Sequence, residues 1–215
     1  MRNLLRKEML LAMHPTVPIM LCLSVMVLIP NYPYTVIFFY TSLAVFFTCL
    51  TGRENNDIVY SLMLPVAKKD IVKARMGFTV IQEMIQILLI LPFLPLSERL
   101  NPNGNLAGTD ASLALLGLGF LVYGCFNYVF FVSYYKNVNK VGRSFVIASV
   151  AVFVLVALDV VCSYGLPVYA EYIDTPGRDY LSYKIGVLLG GLVLFFILTL
   201  LAYRKSVKEF LKRDL

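Results

Sequence analysis

The residues able to do chemistry are few in this chain, and their spacing argues against catalysis. The only histidine, His14, precedes Pro15 at the start of the first apolar stretch, so no imidazole base lies among the later ones. Gln82, Glu83, Gln86 and Asp159 fall inside long apolar stretches. Glu83 follows Arg75 by about 12 Å of helix at ~1.5 Å per residue, which places it near mid-bilayer if that stretch crosses a membrane. A polar group at such depth is expensive and turns toward protein or water. Two readings of Gln82, Glu83 and Gln86 stay open: they line a substrate path or bind across a dimer, or they are helix-to-helix hydrogen bonds or interfacial groups. Asp159, in the outer third of its stretch, faces outer-loop residues or a vestibule. Glu83 and Asp159 sit near opposite faces and make a poor acid/base pair. HExxH and clustered metal ligands are absent, so no metal centre is expected. Cys22, Cys49, Cys125 and Cys162 each lie in an apolar stretch without a CxxC pair and read as small core hydrophobes. No GxxxxGK[ST] loop offers a nucleotide cradle. Gly117, Gly119, Gly190 and Gly191 lie in apolar helices and read as close-packing points. The expectation is a chain with no catalytic residue and no metal.

The elements that carry these residues follow from composition. Of 215 residues, 59% are hydrophobic and 15% charged, whereas soluble domains carry roughly 25% charge. That excludes a disordered chain, a disulfide scaffold and an ordinary cytosolic enzyme, and points to a single all-α membrane domain over residues 1–215. Six spans are expected: Val17–Ile29, Tyr34–Leu50, Met76–Leu94, Ala111–Tyr135, Ser144–Tyr164 and Tyr183–Tyr203. Tyr32, Tyr34, Tyr134, Tyr135, Tyr164, Tyr183 and Tyr203 suit interfacial belts in a chain without tryptophan. The first span resembles a signal-peptide core, but no small-x-small site follows and the chain turns at Asn31-Tyr32-Pro33 into the next run, so it reads as a retained helix.

With six spans, 16 of the 19 Lys and Arg residues fall on one side, leaving Arg99, Arg178 and Lys184 on the other. The positive-inside rule then puts both termini in the cytoplasm. The net charge of +6 reflects this topology; there is no dense basic tract for nucleic acid. On the outer side, Ser97–Asp110 reads as an irregular loop, and Gly165–Ser182 as a short re-entrant or interfacial element.

The inner side is richer. Asn3–Met13 reads as an interfacial amphipathic helix with Leu5, Met9, Ala12 and Met13 on its apolar face, turning into the bilayer at His14-Pro15. The stretch Gly52–Gly77, GRENNDIVYSLMLPVAKKDIVKARMG, is the longest inner loop. Glu54, Asn55, Asn56 and Asp57 suit a helix start. Ile58, Leu62 and Met63 make a small apolar stripe, Pro65 ends the helix, and a second helix begins after it and continues into the third span. Such a stripe either docks a partner or belongs to a solvated loop whose charges only set topology.

At this loop the sequence resembles the ABC-2 type permeases, the membrane subunits of ATP-binding-cassette exporters. The resemblance rests on the N-terminal NLLRKE, the six-span layout and SLMLPVAKKDIVKAR, with Leu64-Pro65-Val66 followed by Lys68-Lys69 and Ile71-Val72 as its core. Ala67 departs from it, standing where such permeases often carry a hydroxyl. Within the family, the short chain is similar to permeases that export antimicrobial or toxin peptides, phenol-soluble modulins among them. The resemblance implies a bacterial cytoplasmic-membrane subunit that pairs with a second permease chain, a homodimer being favoured, and with two copies of a separate ATPase that bind ATP and Mg. It makes 54–64 the coupling segment (Glu54, Asp57, Ile58, Ser61, Leu62, Met63, Leu64). Leu62 and Met63 would sit in the ATPase groove, with Glu54 and Asp57 at its charged rim. The expected cargo is an amphipathic peptide, toxin or drug. The alternatives are a six-helix substrate-binding component of a vitamin importer, which lacks such a surface helix, and a non-ABC membrane enzyme or structural protein.

Overall fold

The structure, a computed structural model, describes residues 2–175 and 179–213; Arg178, counted above on the outer side, lies outside them. Every regular element among these residues is helical. Helix α1 (Arg2–Lys7) runs into a π-helical turn (Glu8–Ala12), and α2 (Thr16–Cys22) into a 3₁₀ segment (Leu23–Leu28). Then come α3 (Val36–Glu54), α4 (Asp57–Leu62), α5 (Lys68–Ile90) and α6 (Phe93–Leu100). The chain ends with α7 (Leu113–Lys136), α8 (Val141–Gly165), α9 (Pro167–Tyr172) and α10 (Leu181–Leu211).

Five segments are long and apolar enough to cross a bilayer: α3, α5 with α6, α7, α8 and α10. The first crossing is of a different kind. Asn3–Ala12 and Thr16–Leu28 pass the same test only together, bent by 92°. The bend follows from Pro15, which has no amide proton and pushes the residues before it out of helical geometry; Met13 is extended, with ψ 119. Beyond the bend, seven α-helical and six 3₁₀ residues cover about 22 Å at roughly 1.5 and 2.0 Å per residue, short of the ~30 Å hydrocarbon core. The 3₁₀ segment leaves carbonyls open at its end. Ser97 Oγ donates to Val27 O at 2.8 Å, and Asn101 Nδ2 to Leu28 O at 3.2 Å. Both donors stand on or just after α6. Two prolines start this helix: Pro92 and Pro95 occupy its cap and first turn, where a missing N–H costs nothing. The irregular outer loop therefore begins at Asn101, not at Ser97.

Helix α7 is the axis of the bundle, with Tyr123, Phe126, Phe130, Phe131, Tyr134 and Tyr135 fully buried. It packs in parallel against α10. A Cβ at Gly191 would stand 2.0 Å from the carbonyl oxygen of Gly117, and one at Gly117 would stand 2.5 Å from that of Val187, so the two backbones touch. Gly119 lies under the Phe38 ring. Gly190, expected with them, faces open space. The basic loops converge at one end of the bundle: Arg53 Nη1 donates to Asn139 O at 3.4 Å, Lys68 to Arg213 O, and Arg213 to Lys136 O. The chain is an all-α membrane protein with a basic end and an opposite end closed by loops.

Candidate coupling site and its charge cluster

At the basic end, α3 runs out to Glu54 and the chain reverses at Asn55-Asn56. Asn56 takes the left-handed conformation, φ 50, which asparagine tolerates better than most residues. Helix α4 follows at once. Its six residues and the two that follow, Met63 and Leu64, split into two faces. Asp57, Ile58 and Ser61 are buried, and Leu62 is half-buried against the core. Val59, Tyr60, Met63 and Leu64 are exposed, Met63 at 78% and Tyr60 at 55%. The solvent face of the loop is thus an apolar strip beside the exposed Glu54. Pro65 ends the element, and α5 starts at Lys68 with no side-chain cap from Ala67.

This division corrects two expectations. Leu62 points half inward, and Asp57 is not at a solvent rim. The Asp57 carboxylate is buried on the guanidinium of Arg75, which also binds the Glu8 carboxylate. Lys7 Nζ completes the group at 3.1 Å from Glu8 and 3.5 Å from Asp57, and donates to Ser61 Oγ at 2.9 Å. Two cations and two anions cancel, which is how four charges are held together away from water. Gly52 leaves the room: a Cβ there would stand 2.9 Å from Arg75 Nη1 and 3.0 Å from Asp57 Oδ2. The cluster bolts together the N-terminal segment, the end of α3, α4 and α5. Sequence reasoning read Arg75 and Lys7 as topology charges and gave Glu8 no role of its own.

The N-terminal helix is therefore oriented by charge. Glu8 and Ala12 are its fully buried residues, while Met9, Leu10, Leu11 and Met13 are exposed. The expected inward face, with Met9 and Met13 on it, is displaced because the π-helical turn adds a residue to the repeat and the Glu8–Arg75 pair decides which side faces the bundle.

The intramembrane polar residues form a second group. Gln82, Glu83 and Gln86 are buried within this chain's own bundle. Asn127 Nδ2 donates to Glu83 Oε2 at 3.1 Å and to Thr199 Oγ1 at 3.3 Å, so α5, α7 and α10 are joined there. Of the two readings of Glu83, the helix-to-helix contact is the one present in this arrangement. Asp159 accepts from Thr35 Oγ1 at 3.1 Å, from Tyr169 Oη at 2.9 Å and from Thr109 Oγ1, all at the end opposite the basic one. No set of three or more His, Cys, Asp or Glu among the described residues is arranged to hold a metal ion.

A family model described as ABC-2 family transporter protein matches residues 3–210. The chain belongs to the ABC-2 transporter family. No curated protein and no solved structure matches it. Membership makes the chain a membrane permease subunit of an ABC transporter, with an ATPase as its partner. Nearly all of the N-terminal helix and of the long apolar helices, and the whole Glu54–Arg75 loop, lie inside the matched region.

At the end of the permease opposite the basic one, loops close over Asp159. The Asp110 amide donates to Asp174 Oδ1 at 2.9 Å, the Asp110 carboxylate accepts from the Asn105 amide, and Tyr164 Oη donates to Leu106 O. Burial pushes the Asp174 carboxyl up to about 6, and the neighbouring Asp110 carboxylate adds to the push against the hydrogen bond from the Asp110 amide. Burial raises Asp110 in the same direction. A carboxyl raised in the fold keeps its proton more firmly there than in the open chain, where it titrates near 3.8. The cap is therefore most stable below about pH 4 and loosens as pH climbs through about 6. Hydrogen-exchange protection of residues 101–112 should fall between about pH 4.5 and 7.5, and Asp174→Asn should flatten most of that fall. Protection that stays level or rises in the parent protein would contradict this account.

Proposed function

We propose that this permease is the transmembrane half of an ATP-driven exporter, with α4 as the element that receives force from the ATPase. The observation that carries the reading is the exposed strip Val59, Tyr60, Met63 and Leu64 on a helix tied to α5 by the Asp57–Arg75 pair and to the N-terminal segment through Glu8. An apolar strip on a short rigid helix suits a groove in a partner. A push on it passes into two other elements through the shared guanidinium. In this reading the basic end is cytoplasmic, as the positive-inside rule requires, and the membrane is the bacterial plasma membrane. Two permease chains pair, because one small bundle encloses no alternating route, and two ATPase subunits supply the ATP and Mg sites. The cargo we propose is an amphipathic peptide, toxin or drug.

The test is a set of substitutions on α4 and the turn after it, with one beyond Pro65 as control. Met63→Asp puts a charge where the partner groove should be without disturbing the buried side of the loop. Anchors at an interface centre typically cost more than about 1 kcal/mol when truncated, and rim charges less. ATPase co-purification and cargo-stimulated hydrolysis should drop at least tenfold, while the permease inserts and unfolds as before. Lys68→Ala, beyond Pro65, should change little. Leu62→Asp is the weaker probe, since it also damages the half-buried packing. Parental ATPase binding and transport in Met63→Asp would remove α4 from the coupling role.

A further inference from the structure

Two depressions at the basic end meet at one lysine. The first, about 780 Å³, lies between the N-terminal helix and the start of α5, and is lined by Arg6, Leu10, Tyr60, Leu64 and Lys73 among others. The second, about 360 Å³, runs between α5 and α10, lined by Lys73, Met76, Gly77, Val80, Phe196 and Leu200 among others. Lys73 belongs to both. Arg6 and Lys73 are exposed, and neither takes part in the ion pairs of the charge cluster, where Lys7 is occupied. Among the described residues Arg6 and Lys73 form no ion pair, so the first depression offers two cations against the one carboxylate of Asp70, beside exposed leucines, Leu10 at 69% among them. The second is almost wholly apolar and climbs from Lys73 to Val80, about 10 Å at ~1.5 Å per residue.

We propose that these two depressions form a binding site for one anionic phospholipid, its phosphate between Arg6 and Lys73 and an acyl chain in the α5–α10 groove. Charge and continuity select this occupant. A soluble anion would use the cations and leave the apolar groove empty, and a neutral lipid would do the reverse. Only an anionic head joined to a hydrocarbon chain uses both at the spacing Lys73 imposes. Basic pockets between membrane helices on the basic side are places where such head groups bind. The lipid would also lie against the helix that carries Glu8, at the joint between the N-terminal segment and α5. The inference rests on the chain being a membrane protein. Tyr60 and Leu64 line the first depression and also belong to the strip proposed for the ATPase, so lipid and ATPase compete for them, and a failed lipid site leaves the coupling role of α4 standing.

The test uses the 215-residue chain purified in detergent and incubated with equal phosphatidylglycerol and phosphatidylcholine, with bound lipid read by native mass spectrometry. Each cation near the head group is worth about fivefold, so the parent should prefer phosphatidylglycerol about thirtyfold. Arg6→Ala with Lys73→Ala should bring the preference close to unity. Gly77→Leu should lower retention of both lipids several-fold by filling the groove that Gly77 lines, and its Cβ has room, meeting only Leu5, at 3.8 Å. Thermal unfolding of each variant, unchanged from the parent, separates lost binding from lost fold. Equal binding of the two lipids by the parent overturns the proposal, as does a preference that survives the double substitution. Displacement by inorganic phosphate at millimolar concentration would make it an anion site without the acyl groove, and that result also overturns it.

Discussion

Arg75→Ala is expected to free the N-terminal helix from the bundle and to cost about 3–5 kcal/mol of stability, the range for removing one partner of a buried ion cluster. The guanidinium is 3% exposed and binds both Glu8 and Asp57. Without it, two buried carboxylates share Lys7 alone. The cheapest relief is for the segment carrying Glu8 to lift toward water, since α1 and its π-helical turn are short and held on one side. Hydrogen exchange should then show residues 3–13 losing protection before the rest of the bundle, together with an earlier thermal transition. If cargo-stimulated ATP hydrolysis depends on this joint, it should fall in parallel with that protection. A second variant separates loss of charge balance from loss of the residue. Lys7→Met, Glu8→Gln, Asp57→Asn and Arg75→Met made together leave no unpaired charge and should recover most of the stability, because a buried ion pair replaced whole is often close to neutral. Parental protection and unfolding in Arg75→Ala would mean that the four charges contribute nothing to holding the segment. A quadruple variant as unstable as the single one would mean that the packing of these side chains mattered and their charge did not.

The second large effect concerns the crossing of α7 and α10. Gly191→Ala adds one methyl group where 2.0 Å separates the new carbon from the Gly117 carbonyl oxygen. Backbone lies on both sides, so no side chain can rotate away and the helices must part. Overpacking of this kind typically costs about 1–3 kcal/mol and occasionally more, and here the upper end is expected, with Gly191→Val blocking assembly of the bundle. The neighbouring position is the control. A Cβ at Gly190 meets nothing within 4 Å, so Gly190→Ala should be neutral or gain about 0.5–1 kcal/mol from the reduced freedom of the unfolded chain. Thermal unfolding in detergent compares the two directly. Equal effects at 190 and 191 would refute the close crossing.

What could be read from the residues in order was whatever depends on composition and local spacing. Long apolar runs fold as helices in lipid, because no other local arrangement satisfies their backbone there. The all-α membrane class, the five long crossings and the basic side therefore followed without coordinates. So did the turn at His14-Pro15, the break at Pro65 and the start of α5 beyond it, because proline acts on its immediate neighbours. The loop sequence also carried the family resemblance, which the family match bears out.

The charge cluster was not legible in this way. Glu8, Asp57 and Arg75 come from three elements, and a lysine or arginine next to an apolar run looks the same whether it meets water or a buried carboxylate. Their pairing is decided by how α1, α4 and α5 pack, and only the packed bundle shows that Arg75 passes over Gly52. The same holds for α4. Ile58-Val59-Tyr60-Ser61-Leu62-Met63-Leu64 is apolar almost all round, so its periodicity could not say which side faces out. Asp57 settled the question by binding Arg75, which turned Ile58 inward and left Tyr60 and Met63 outside. The difference between Gly190 and Gly191 belongs with these. Both are glycines in one apolar helix, and they are distinguished only by a backbone more than 60 residues away in the chain, against which one packs and the other does not.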